Sequence, residues 1–421
     1  MKHHWWHLPA PGSAVAAAAI VLCLVGLACI FATEQAAGDE YVNTSKQAVY
    51  LAASLVLTAV ILRIGYYRIA QHAYLIFGMA LLLLIPPCIA RLTHYSFGGL
   101  VPVRRNTYRW IQLPGFGLQP SELMKVAYML GLAWYLRYRR NYRTFGGLLI
   151  PLLMSAVPMM LILMEPDLGT TLQTIPVLFV ILFAAGARAK HLALVLLIGL
   201  LAAPLAWSHL ETYQRSRVSL VLMQSREFRD KIIAQPQRYR WLATPRQALE
   251  WEKDIGYQLV GSKAALGSGG VFGHGWGQGT YVEYNFLPEK HNDFVFAIIG
   301  HQWGLLGCLF VLGCYGVITL VGLNIAFATT EPFARLLAVG VVTMVVTQAL
   351  LNMGENTGLM PITGMTLPFV SFGGSSLLTN FMAVALLISI SQHRPFLLAD
   401  KPFDDDVLIR PDTPIKPARS L

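Results

Sequence analysis

Ten stretches of this chain are apolar and long, near residues 13–33, 46–63, 72–90, 120–137, 146–164, 169–186, 190–208, 294–325, 333–354 and 375–392. A helix of about 20 residues covers the roughly 30 Å of hydrocarbon in a bilayer. Nothing else limits the fold as strongly. Backbone groups in lipid have no water to bond, so only helices and closed barrels can span it. Composition agrees, with 55% hydrophobic and 13% charged residues and a mean hydropathy of +0.53. Strand alternation is absent, and runs of this length are not those of an outer-membrane barrel. The expectation is an all-α polytopic integral membrane protein of about ten transmembrane helices, with residues 1–421 forming one membrane domain.

An even number of spans puts both termini on one side. Arg63 and Arg68 follow the second span, Arg137, Arg139, Arg140 and Arg143 the fourth, and Arg188 and Lys190 the sixth, while Arg335 precedes the ninth. The positive-inside bias makes these loops cytoplasmic. The acidic loop with Glu34, Asp39 and Glu40 is then outside, 209–293 is a large extracytoplasmic loop, and 393–421 is a cytoplasmic tail. The net charge of +10 is accounted for by topology, and no nucleic-acid motif accompanies it. The first apolar stretch exceeds a usual signal-peptide core and lacks a small-x-small cleavage site, so an uncleaved span is expected. Cys23, Cys29, Cys88, Cys308 and Cys314 lie in apolar runs without metal spacing and read as small hydrophobes.

Charges at the mouths of spans are the functional signal, because an ionisable group in a membrane is costly unless it faces a polar cavity. Asp293, in FLPEKHNDFVFAIIG at 286–300, stands where a polar loop turns into an apolar helix. In Gln119-Pro120-Ser121-Glu122-Leu123-Met124-Lys125, proline suits the first helical turn, Gln119 or Ser121 can cap it, and Glu122 and Lys125 share a helix face. Glu165-Pro166-Asp167 forms an acidic hairpin, either a solvated turn or support for the same cavity. From Thr363 to Ser376, with Ser371, Gly373, Gly374 and Ser375, hydroxyls and amides gather at a helix start. That arrangement makes an anion site or an ordinary cap. Arg91, Arg104, Arg105 and Arg109 stay outside against the charge rule, through attraction to an anion or contact with headgroups. In the long loop, 222–254 reads as one or two surface amphipathic helices punctuated by Pro236 and Pro245. The glycine-dense 256–293 lets backbone approach a ligand or another helix closely.

These blocks resemble the SEDS family (shape, elongation, division and sporulation), whose members include RodA, FtsW and SpoVE. The resemblance rests on YRWIQLPGFGLQPSELMK (108–125), EPDLGTT (165–171), YQRSRV (213–218), GYQLVGSKAALGSGGVFGHGW (256–276), FLPEKHNDFVFA (286–297) and TGLMPITGMTLPFVSFGGSSLLTN (357–380). It implies the SEDS fold and a peptidoglycan glycosyltransferase that polymerises lipid II, an undecaprenyl-diphosphate-linked disaccharide-peptide, beside a class B penicillin-binding protein. It makes Asp293 the essential acid, with Glu122, Lys125 and Asp167 in a supporting polar cavity. Arg109, Gln119, Ser121, His291, Thr363, Ser371, Gly373, Gly374, Ser375 and Ser376 complete the expected substrate-binding set. FLPEKHNDF and PITGMTLPFVSFGG look closer to RodA. Two positions depart from the pattern: His301 and Gln302 replace an acidic pair, and His274 stands where lysine is frequent.

Glycosyl transfer needs a base for the acceptor hydroxyl and positive charge at the departing pyrophosphate. Asp293 fits the first need, and Arg109 and Lys125, with Arg104 or Arg105, the second. Asp167 is a place for another cation or a divalent metal, Mg or Mn, although no ligand triad is visible. No other cofactor is implied. Two rival readings, a lipid II flippase or transporter and an inactive scaffold for a penicillin-binding protein, use the same residues. The active site is expected to face outward from the cytoplasmic (inner) membrane.

Overall fold

The computed structural model describes residues 10–392 except Asp39, 104–106, Gly115, 140–142, Glu211, Glu252, 254–255, 284–286 and 288–290. Asp39, Arg104, Arg105, Arg140 and the tail at 393–421 therefore lie outside the described residues. The first half of the chain contains α1 (Ala10–Ala37), α2 (Val42–Ile64), the short α3 (Tyr66–Gln71) and α4 (Ala73–Thr93). A hairpin of β1 (Ile111–Leu113) and β2 (Phe116–Leu118) leads into α5 (Pro120–Leu136), α6 (Leu149–Met164), α7 (Leu168–Ala185) and α8 (Ala189–His209). The long loop holds α9 (Thr212–Met223), α10 (Arg226–Ala234), α11 (Pro236–Tyr239), α12 (Pro245–Leu249), α13 (Tyr257–Ser268) and α14 (Thr280–Glu283). The chain then returns as α15 (Val295–Ala328), α16 (Pro332–Thr357) and α17 (Gly374–Gln392).

Each of the ten apolar stretches is a helix, and the protein is an all-α polytopic membrane protein. Among the described residues eight helices are long and apolar enough to cross a bilayer. The other two are shorter: α5 has 17 residues and the apolar part of α8 is Ala189–Leu205. The charges Glu122 and Lys125 sit in the first turns of α5, where a lipid-facing helix could not keep them. Helices α16 and α17 form the centre, their apolar windows 67% and 89% buried, against 17% for α2. Leu196, Leu197, Leu200 and Leu201 of α8 are exposed, the pattern of a lipid-facing helix.

One expectation needs correction: the β1–β2 hairpin, with Ile111 paired to Leu118 and Leu113 to Phe116, introduces strands into a chain expected to be all-α. The glycine-dense segment begins as a 12-residue helix, α13, followed by turns over 269–279 with positive φ at Gly270, Gly273, Gly275, Gly277 and Gly279. The 222–254 segment is three short helices, α10 to α12, where one or two were expected; Pro236 and Pro245 punctuate it by opening α11 and α12 as first-turn prolines.

The glycine turns repair a broken span. Gly304 interrupts α15 at φ 63°, ψ −157°, a conformation essentially restricted to glycine. Backbone groups released by the break bond to the loop instead. His274 N donates to His301 O at 3.0 Å, Gly275 N to Gln302 O at 3.0 Å, and Leu305 N to Gly270 O at 2.9 Å. Close approach requires missing side chains: a Cβ on Gly273 would lie 2.2 Å from Gln302 O.

The Gly304→Ala substitution would force a Cβ to 2.4 Å from Val271 O. It should cost about 1–3 kcal/mol from strain and overpacking, seen as a lower Tm of the detergent-solubilised protein. Gly313→Ala in the same helix meets open space and should leave Tm unchanged or slightly raised.

Candidate functional site

Asp293 immediately precedes Phe294, the N-cap of α15, and is half-buried. Its position is fixed through the backbone. Phe372 N donates to His291 O at 2.8 Å and Ser371 Oγ to Asn292 O at 2.6 Å. The Asp293 carbonyl accepts from Asn352 Nδ2 at 2.7 Å and Asn356 Nδ2 at 2.9 Å. Asn356 Oδ1 in turn accepts from Ala297 N at 3.1 Å, tying α16 to the first turn of α15. Three consecutive carbonyls are thus satisfied by α16 and the 363–373 connection, leaving little play in the acid's backbone.

The side chain stands over Gly364, whose φ is +73°. A Cβ there would come within 3.2 Å of Arg217 Nη1 and 3.5 Å of Asp293 Oδ2, so a guanidinium from α9 and the aspartate share one patch of backbone. Glu355 of α16 is fully buried beneath them. Its Oε2 accepts from Thr363 N at 2.8 Å and Thr363 Oγ1 at 2.9 Å, and the charges of Asp293 and Arg217 both act on it.

A second group lies at the start of α5. Lys125 Nζ and Glu122 Oε2 form a buried ion pair at 2.8 Å. Lys125 also donates to Gln348 Oε1 at 3.1 Å, and Gln173 Nε2 donates to the same oxygen at 3.2 Å. Gln348 Nε2 reaches Thr366 O at 2.9 Å. One network therefore joins α5, α7, α16 and the connection that carries Thr363.

Asp167 caps α7, accepting from Thr170 N at 3.2 Å and Thr170 Oγ1 at 3.0 Å. Ser121 Oγ and Gln119 Nε2 add donors at 3.1 and 3.3 Å. Gln119 holds the N-cap position of α5, but its side chain makes no capping bond there; it and Ser121 donate to Asp167 instead. Arg109 Nε donates to Glu165 O at 2.8 Å, and its Nη2 to Pro166 O. Burial would raise the Asp167 carboxyl, but the Arg109 charge and the Thr170 and Ser121 hydrogen bonds outweigh it and hold the group below the usual carboxylate range. Glu165 goes the other way: burial, reinforced by the Asp167 charge and opposed by Arg109, pushes it well above that range. Arg109 is thus the cation expected beside Asp167. A metal fits poorly there, because four donors already occupy the carboxylate. Among the described residues no three His, Cys, Asp or Glu side chains cluster as metal ligands.

Several expected substrate contacts face inward. Ser375 Oγ donates to Gly117 O at 2.9 Å and accepts from Gln119 N at 3.1 Å. Ser376 Oγ pairs with Thr366 Oγ1 at 2.7 Å, Gly373 N donates to Gln47 Oε1 at 3.4 Å, and Gly374 packs on the Tyr50 ring. None of these contacts is a side-chain bond to the amides of residues 374–376, which open α17. His291 Nδ1 lies 3.1 Å from Thr33 Oγ1, tying the aspartate's loop to α1. Sequence reasoning missed Arg217, Gln348, Asn352, Glu355 and Asn356. The spacing of the last three, i, i+3 and i+4 on one helix face, was the available signal.

These features define a multi-pass membrane protein with ionisable groups gathered between its helices at the junction with a large loop. Residues 12–395 match the FtsW/RodA/SpoVE family model, described as "Cell cycle protein". A probable peptidoglycan glycosyltransferase FtsW of Geobacter sulfurreducens is 31% identical over 359 residues, covering 84% of this chain and 86% of that protein. Stage V sporulation protein E of Bacillus subtilis is 34% identical over 313 residues, covering 74% and 78%. Among solved structures, one from work on a peptidoglycan synthase complex that coordinates polymerization and crosslinking superposes at TM-score 0.69 with 26% identity, covering 90% of this chain and 97% of that one. The rod shape determining protein RodA of Thermus thermophilus shares the fold at TM-score 0.62 and 24% identity, covering 90% and 96%. The chain belongs to the FtsW/RodA/SpoVE (SEDS) family and is a peptidoglycan glycosyltransferase. FtsW proteins and stage V sporulation protein E are among its sequence relatives, and RodA is among the structures that share its fold.

Lys125→Met should strand Glu122 and cost about 3–5 kcal/mol, whereas Glu122→Gln with Lys125→Met should recover most of the loss; thermal unfolding in detergent measures both. Glu165 binds its proton more tightly folded than unfolded, so its contribution to stability is present in acid and lost as pH rises through the folded value. Glu165→Gln should therefore match the wild-type Tm in acid and exceed it in alkali.

Proposed function

We propose that this protein polymerises lipid II into glycan strands at the outer face of the cytoplasmic membrane, with Asp293 as general base. The observation that carries this reading is the half-buried Asp293 carboxylate, its backbone pinned by Asn352 and Asn356, beside a guanidinium at the loop–membrane junction. In the reaction, the 4-hydroxyl of one sugar gives its proton to Asp293 as its oxygen bonds the anomeric carbon of another. The bond from that carbon to the diphosphate breaks, and the lipid diphosphate leaves with the electron pair. A single base and direct departure of the diphosphate lead to inversion, by analogy with glycosidases.

The Arg109–Lys125 side of the cavity is assigned to the diphosphate. Both cations are held in place, Arg109 by the turn carbonyls and Lys125 by Glu122 and Gln348. Such fixed charges stabilise a developing anion without reorganising during the reaction. In this proposal ten helices span the membrane (α1, α2, α4 to α8 and α15 to α17), both termini are cytoplasmic, and 209–293 lies outside. The basic loops at Arg63, Arg68, Arg137, Arg139, Arg188 and Lys190 support that orientation. Likeness to a structure from work on a polymerization and crosslinking complex supports a class B penicillin-binding protein as partner, in elongation or division.

Positioned proton transfer is worth roughly 10²–10⁴-fold. Asp293→Asn should lower polymerisation of detergent-accessible lipid II by that factor while leaving Tm and yield unchanged. Glycan polymer at the wild-type rate would remove Asp293 from the base role.

A further inference from the structure

One face of α16 holds both ends of the site. Gln348 and Asn352 lie four residues apart on successive turns, about 6 Å along the axis at 1.5 Å per residue. Both are fully buried. Asn352 Nδ2 donates to Asp293 O and to Met365 O, each at 2.7 Å. One turn earlier, Gln348 Nε2 donates to the next carbonyl of the same connection, Thr366 O, at 2.9 Å. Its Oε1 accepts from Lys125 Nζ at 3.1 Å. The amide has one orientation here, because an ammonium only donates and a carbonyl only accepts. A hydrocarbon side chain would lose both bonds, and an ionised acid would lose the one to Thr366. Glu122 pairs with Lys125 from within the same helix, three residues away, and so sets no distance to α16. Gln348 supplies that distance.

We infer that Gln348 is a positioning residue for polymerisation: it registers the Lys125 ammonium on the helix face that also holds the Asp293 backbone. The cation for the departing diphosphate and the base for the acceptor hydroxyl are thereby spaced by successive turns of one rigid helix. This rests on the assignment of Lys125 to the diphosphate. Gln348 acts through Lys125 and Thr366. Displacement of a reacting group by about 1 Å can cost about 10²-fold.

Two variants test the spacing. Gln348→Met keeps the length and loses both bonds; Gln348→Asn keeps the amide and shortens its reach by one methylene. Tyr128→Phe is the control for a lost bond alone, since it removes a buried hydrogen bond of α5, to Ser155 Oγ at 2.7 Å, outside this network. The full-length proteins are compared on lipid II in detergent, with Tm recorded and the Glu122→Gln, Lys125→Met double variant run in parallel. The expected result is a kcat lower by about 10–100-fold in both Gln348 variants, with little change in KM, and wild-type kcat in Tyr128→Phe. If Gln348→Met does not fold, Gln348→Asn decides. Wild-type kcat in a folded Gln348→Asn, or an equal fall in Tyr128→Phe, would overturn the inference. Failure of both Gln348 variants to fold would assign the residue to stability and overturn it equally. Wild-type kcat in the Glu122→Gln, Lys125→Met double variant would instead defeat the assignment of Lys125 itself. Loss there beside wild-type kcat in both Gln348 variants would defeat only the role of Gln348.

Discussion

Everything in this structure follows from a solvent that offers no hydrogen bonds. Wherever the chain leaves helical geometry at membrane depth, a protein partner must take up the released backbone groups. The connection before α17 is bonded to the loop before α15 through Phe372 and Ser371. The break at Gly304 is bonded to the glycine turns. Both repairs converge on the segment that begins with Asp293. The acid's fixed position is therefore a by-product of satisfying polar backbone where water is scarce.

The same constraint sorts the charged residues. Glu122 is ion-paired with Lys125, Arg109 binds the turn that carries Asp167, and Arg217 and Asp293 stand against the same glycine. Gln348 links the first group to the connection that carries Thr363, so the groups form parts of one polar seam. Transfer of a lipid-linked sugar calls for such a seam, because the chain of the substrate stays in lipid while its diphosphate needs fixed positive charge.

The spans were legible because a run of about 18 apolar residues has few alternatives. The Gln119–Lys125 block and Asp167 were legible because charge beside lipid is costly and so carries meaning. Glu355 was hidden for the opposite reason. The ninth apolar run ends at residue 354 by composition, which places Glu355 in a loop, whereas α16 continues to Thr357. Arg217 was hidden among the many charges of the long loop, where another arginine is no signal. The serines at 371–376 suit both an anion site and a cap in sequence, whereas Ser375 and Ser376 bond to Gly117, Gln119 and Thr366, which lie far from them in sequence. Glycine density in 256–276 pointed to close backbone approach, which Gly269 and Gly273 make against α15, while α13 is a regular helix whose start and end the glycines did not mark.

The interruption at Gly304 divides α15 mechanically. The piece between Asp293 and the break is about 15 Å long at 1.5 Å per residue, with the acid at one end and loop-bonded carbonyls at the other. Both ends of this short rod are anchored, the acid's end by Asn352 and Asn356 and the far end by the glycine turns, so the placement of the carboxylate is set apart from the longer piece of α15 beyond the break.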